Sequence, residues 1–114
     1  MRWRAVIASI FLIGAGVALT AHASDVTTYG AGLKTCAAYL DAREQQNSDE
    51  VPFVDWFSGY ASGVNAISLT TNNVLGNSDL TAAIYWIDDY CRANSRARFA
   101  EAVDARVAPN HRDR

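Results

Sequence analysis

The sequence predicts a single small all-α domain of four helices stapled by one disulfide. Three observations lead there. Apolar residues recur at spacings of three and four along most of the chain beyond residue 30, the period of a helix with one buried face. No segment alternates apolar and polar residues as a half-buried strand does, and there is no internal repeat or low-complexity stretch. The chain has only two cysteines, Cys36 and Cys91, and its first residues follow the pattern of an export signal.

The signal pattern is a basic start (Arg2, Arg4), an apolar run from Ala5 to Leu19, and the small-x-small motif Ala21-His22-Ala23. Cleavage is expected after Ala23, leaving a helical domain over 24–109 and a flexible tail over 110–114. The apolar run is about 15 residues against the roughly 20 that span a bilayer, so no stable membrane insertion is expected after cleavage. No cysteine follows Ala23 for lipid attachment, and Arg2-Trp3-Arg4 is not a twin-arginine signal. The expected destination in a bacterium with two membranes is the periplasm. In an oxidising compartment an even number of cysteines reads as a bridge, and closing a loop this long contributes roughly 4 kcal/mol in the chain-entropy model. The cysteines lack histidine partners, so neither a metal nor a cofactor is expected.

The first helix is expected at about 30–46, where Leu33, Cys36, Ala37 and Leu40 form one apolar stripe. The polar run Gln45–Asp49 ends it. The second helix is expected at about 51–70, with Ser48 or Asp49 as its cap and Pro52 in its first turn. Phe53, Trp56, Phe57, Tyr60, Val64 and Ile67 make it the most apolar and aromatic segment, placed centrally in the core. A polar connection over Thr70–Asn77 leads to a third helix at about 79–93, capped by Ser78 and buried through Leu80, Ile84, Ile87 and Cys91. Asn94 suits the position after it. Ser95 then caps a fourth helix at about 96–108, lined by Phe99, Val103 and Val107 and stopped by Pro109.

Charge and composition exclude several functions. Without Arg2 and Arg4, eight basic residues face twelve acidic ones. Residues 24–91 hold nine acids and two bases, whereas residues 92–114 hold six arginines and three acids. An acidic body of this kind does not bind nucleic acid. The arginines at the end read as solvated helix faces. The one histidine outside the leader, His111, falls in the expected tail, which cannot hold a base beside a nucleophile. A carboxylate pair is the remaining catalytic option. Asp55 stands beside Trp56, but Asp88 and Asp89 are adjacent on a helix and point about 100° apart, so they cannot flank one bond. One of them is expected on a solvated face and the other in a local ion pair, for instance with Arg92.

Two features bear on binding. Gly59 and Gly63 form Gly-x-x-x-Gly inside the second helix, where each glycine costs about 1 kcal/mol against alanine. Close packing is the simpler explanation, most directly against Trp86 or Tyr85, with Trp56 and Trp86 as helix-packing residues beside the two glycines; a backbone groove opened for a partner is the other. Asn65, two residues on, either faces solvent or makes a buried hydrogen bond to a helix end. The Thr70–Asn77 connection is uncharged and rich in amides, with Asn72, Asn73, Val74 and Leu75 as candidate contacts alongside Tyr60 and Asn65. As a plain connector, it would instead tuck its two aliphatics under the domain.

Three segments carry a resemblance: Thr35-Cys36-Ala-Ala-Tyr39-Leu40, Asp55-Trp56-Phe57-Ser-Gly59-Tyr60-Ala-Ser62-Gly63, and Trp86-Ile-Asp-Asp-Tyr90-Cys91-Arg92-Ala-Asn94. Together they resemble the small exported helical proteins of the HdeA-type acid-stress chaperones and the Tai/Rap-type immunity proteins of type VI secretion. The former are similar in length, helical build and one long-range disulfide. The latter are similar in the Gly-Tyr-x-x-Gly core and the Tyr-x-x-x-Asn turn, although Ser95 stands where proline often follows that asparagine. The resemblance implies a non-catalytic domain that binds protein, as an immunity-type inhibitor of a periplasmic, cell-wall-degrading enzyme. The alternatives are a chaperone that loosens in acid to hold unfolded clients, and a small cell-wall enzyme using Asp55 or Asp88. A second copy of the chain is a further partner the sequence allows.

Overall fold

Four helices and three short 3₁₀ turns make up the fold among the described residues of this computed structural model, which are Gly14 and residues 26–111. The leader, its cleavage point and residues 112–114 lie outside them. The helices are α1 (Cys36–Glu44), α2 (Val51–Ile67), α3 (Leu80–Ala93) and α4 (Phe99–Val107). The all-helical, disulfide-stapled class is therefore as expected.

α1 and α3 are joined by Cys36–Cys91, both fully buried, with Cα atoms 4.9 Å apart. α4 packs against α3, and α2 reaches the bundle through α4 and through the 3₁₀ turn Gly30–Leu33. The core is aromatic. Tyr39, Phe53 and Phe99 pack mutually at centroid distances of 4.8–5.4 Å, and Phe57 is fully buried in the same core. Trp56 lies half-buried over this cluster, stacks on Tyr60, and donates its indole N–H to the Tyr29 carbonyl at 2.7 Å. Gly32 lies directly under the indole, where a Cβ would run into the six-membered ring.

The boundaries differ from the expected ones for local reasons. The first segment breaks at Lys34–Thr35: a 3₁₀ turn precedes, and Thr35 caps α1 by accepting from Ala38 N–H. Its buried stripe is Cys36, Tyr39 and Ala42, so Leu33 and Ala37 face solvent and Leu40 is half-buried. α4 begins three residues later than Ser95 would place it. The carbonyls of Ser95 and Ala97 accept from Ala37 and Cys36 N–H at 3.0 and 2.8 Å, and Lys34 carbonyl accepts from Phe99 N–H. Residues 95–98 thus satisfy the orphan donors at the start of α1 rather than opening a helix. Glu101 carboxylate then accepts from Arg98 N–H at the start of α4. Asp79, not Ser78, caps α3 through Ala82 N–H. α2 stops at Ile67 because Ser68 turns extended, leaving Ile67 74% exposed instead of in the core.

The tail is also held further than expected. Asn110 donates to the Val74 carbonyl at 3.0 Å, and the half-buried His111 ring lies 3.3 Å from Ser68 Oγ. Ser68 Oγ also accepts from Thr70 and Thr71 N–H, closing the turn after α2.

Candidate functional site

Two surfaces concentrate the residues singled out by sequence: the outer face of α2 and a cleft between α1 and α3. On α2, the buried side is Phe53, Phe57, Ala61 and Val64, spaced at three and four. The opposite side is Asp55, Gly59, Ser62, Gly63 and Ala66, all exposed; at and just past the helix end Ile67 and Leu69 are exposed too, the latter 93%. The expected packing of Gly59 and Gly63 against Trp86 or Tyr85 does not occur. A Cβ built on either glycine meets no heavy atom within 4 Å. Trp86 is on α3, stacked on Tyr90 at 5.6 Å and 40% exposed, away from that stripe. Two glycines therefore sit inside a helix with no reason for them among the described residues.

The connection after α2 is anchored, not adaptable. Val74 is fully buried, which removes it as a contact residue, and Leu75 is half-buried. Asn65 accepts from Val74 N–H at 2.7 Å, so this polar residue of α2 holds the loop rather than facing a partner or a helix end. Asn73 closes a local turn by accepting from Leu75 N–H and donating to the Gly76 carbonyl. Arg106 adds hydrogen bonds to Ser78 Oγ and the Leu75 carbonyl. Tyr60 donates to Asp104 and stacks on Trp56. Of the candidate contacts, Asn72 and Asn73 are the exposed ones.

The second surface is a cleft of about 640 Å³ between α1, the 3₁₀ turn Ser48–Glu50, and α3. Its floor is a charge cluster that sequence reading missed. Asp88 is buried and accepts from Tyr39 Oη at 2.6 Å, from Arg43 Nε at 3.0 Å and from Arg43 Nη2 at 2.8 Å. Arg43 also donates to Glu50 at 2.7 Å. Asp89 is the exposed one of the pair and bonds Arg92, as expected for the local ion pair, while Asp88 is not on a solvated face. The sequence carried a signal for this: Arg43 lies seven residues from Cys36, and Asp88 three from Cys91, so the disulfide brings both to the same side. Hydrogen bonds to Asp88 and Glu50 push the Arg43 guanidinium above its usual value, so it stays charged. Burial, and then the bond to Asp88, push the Tyr39 phenol up.

Among the described residues no group of His, Cys, Asp and Glu is arranged to hold a metal, and no helix is long and apolar enough to cross a membrane. Comparison of the chain with family models, curated proteins and solved structures found no match.

Proposed function

We propose that this is an exported, non-catalytic binding domain of the immunity type, which inhibits a periplasmic cell-wall-degrading enzyme by docking α2 against it. The observation that carries the reading is the outer face of α2. Gly59 and Gly63 lower helix stability without serving any neighbour inside the domain, and the apolar Ile67 and Leu69 are exposed where the helix ends. A partner element approaching the bare backbone, with the two aliphatics as anchors, accounts for all four.

The test is an inhibition assay. The exported, oxidised protein is added at stoichiometric concentration to purified periplasmic amidases, endopeptidases and glycan hydrolases acting on labelled cell wall. Inhibition of one enzyme, lost in the Ile67→Ser/Leu69→Ser double variant, supports the reading. No inhibition across the panel, together with reversible dye binding and client holding at pH 2.5, replaces it with the chaperone. A concentration-dependent dimer that is abolished by the same double variant places a second copy on the face instead.

A further inference from the structure

We infer that the Cys36–Cys91 bridge is a redox switch on the fold: the reduced chain does not hold the native structure, and the folded chain shields the bridge from reductant. The switch is independent of what the domain binds, but it decides when the α2 face exists. α1 has nine residues and α2 carries two interior glycines, so neither helix is stable outside the bundle.

The bridge closes a separation of 55 residues, and opening it returns entropy to the unfolded chain worth about a thousandfold in the folding equilibrium. That is a large share of what a domain this small has to lose. Reduction breaks the one S–S bond. A dithiol supplies two electrons and two protons, leaving two thiols in the protein, and itself closes to a disulfide. The two thiol sulfurs then sit at van der Waals separation, roughly 1.5 Å further apart than bonded ones. Both cysteines are fully buried in the core that holds Tyr39, Ile87 and Phe99, and close packing leaves no slack for that increase.

Pushing α1 from α3 at this point acts on its surroundings. Arg43 lies seven residues after Cys36 and Asp88 three before Cys91, and the buried Asp88 carboxylate takes its hydrogen bonds from Tyr39 and Arg43. Separating these partners strands a buried charge. The N–H groups of Cys36 and Ala37 bond the carbonyls of Ala97 and Ser95, just past Cys91, so the start of α1 loosens with the bridge. Cross-link, buried ion pair and helix cap fail together.

The same burial protects the bond once the domain has folded. A thiolate must reach a bridge sulfur to open it, and neither cysteine is exposed. Reduction therefore waits for the domain to unfold. The test unfolds the exported protein in urea, with or without dithiothreitol, and dilutes it back. The expected result is that the oxidised chain regains dispersed amide signals and aromatic near-ultraviolet dichroism, whereas the reduced chain does not. Dithiothreitol is then added to the folded, oxidised protein and the released thiols are counted over time. Release should be about a hundredfold or more slower than from the urea-unfolded chain, and should coincide with loss of the native spectrum. A reduced chain that returns to the native spectrum overturns the proposal. So does an oxidised chain that fails to refold beside it, because the bond is then not what the reduced chain lacks. Thiol release at comparable rates from the folded and unfolded chains, or with the native spectrum kept, overturns it as well.

Discussion

Replacing both glycines of α2 by alanine should stabilise the isolated protein and weaken its binding, two effects of opposite sign from one change. Gly59 and Gly63 are the ninth and thirteenth residues of a helix of 17, well inside both ends. Alanine in a helix interior is favoured over glycine by about 0.5–1 kcal/mol, chiefly because it restricts the unfolded chain. The usual offset is a clash of the added methyl, and no heavy atom lies within 4 Å of either Cβ position. Gly59→Ala/Gly63→Ala should therefore gain about 1–2 kcal/mol. For a domain of this size that raises Tm by on the order of 10 °C. The assay is reversible thermal and urea unfolding of the oxidised protein, followed by circular dichroism, with single variants to check additivity. A double variant that melts at or below the parent refutes the reasoning, because some close approach inside the domain would then need the glycines. Raised stability with undiminished inhibition refutes the other half: the bare backbone would not be the contact.

Three further outcomes follow from the same structure. Gly32→Ala places a methyl inside the Trp56 ring, so the indole must leave its bed and its bond to the Tyr29 carbonyl; a loss of about 2–3 kcal/mol in urea unfolding is expected, with a shifted tryptophan emission. Asp88→Asn keeps the shape but removes the charge facing Arg43 and Tyr39. Breaking one side of a nearly buried pair should cost about 2–4 kcal/mol, read as a lower urea midpoint, whereas Asp89→Asn, at the exposed pair, should change stability by less than about 0.5 kcal/mol. Tyr39 titrates above its ordinary value in the folded protein, so its neutral form is the one folding favours. The stability it contributes is complete below about pH 10, where the unfolded phenol ionises, and is lost as pH rises beyond that, at up to about 1.4 kcal/mol per unit. Urea midpoints measured at pH 8, 10 and 11 should fall more steeply for the parent than for Tyr39→Phe.

The fold was legible because its signals are local or covalent. Helical spacing marked four segments, and the two cysteines named which pair is tied. The errors fall where backbone groups at one end of the chain satisfy those at the other. Nothing near Ser95 announces that its carbonyl is needed by Ala37, so the start of α4 cannot be placed from its own neighbourhood. The same holds for Asn65 and Val74, where the side chain of one helix residue fixes a loop nine residues on and buries an aliphatic that reads as exposed.

The candidate site shows the same limit in a sharper form. Spacing placed Asp88 and Asp89 on different faces of α3, and that was sound; which face is inside depended on Arg43, a residue of another helix. Glycines pose the converse problem. Gly32 and the pair Gly59 and Gly63 look alike in sequence, yet a Cβ at Gly32 would collide with an indole and at the other two would meet open space. A helix-interior glycine with nothing against it lacks an internal explanation, and the exposed Ile67 and Leu69 at the end of the same helix supply apolar area that a contact would use. It is this pairing of unexplained backbone exposure with unexplained apolar exposure, and not either alone, that directs the binding experiments to α2.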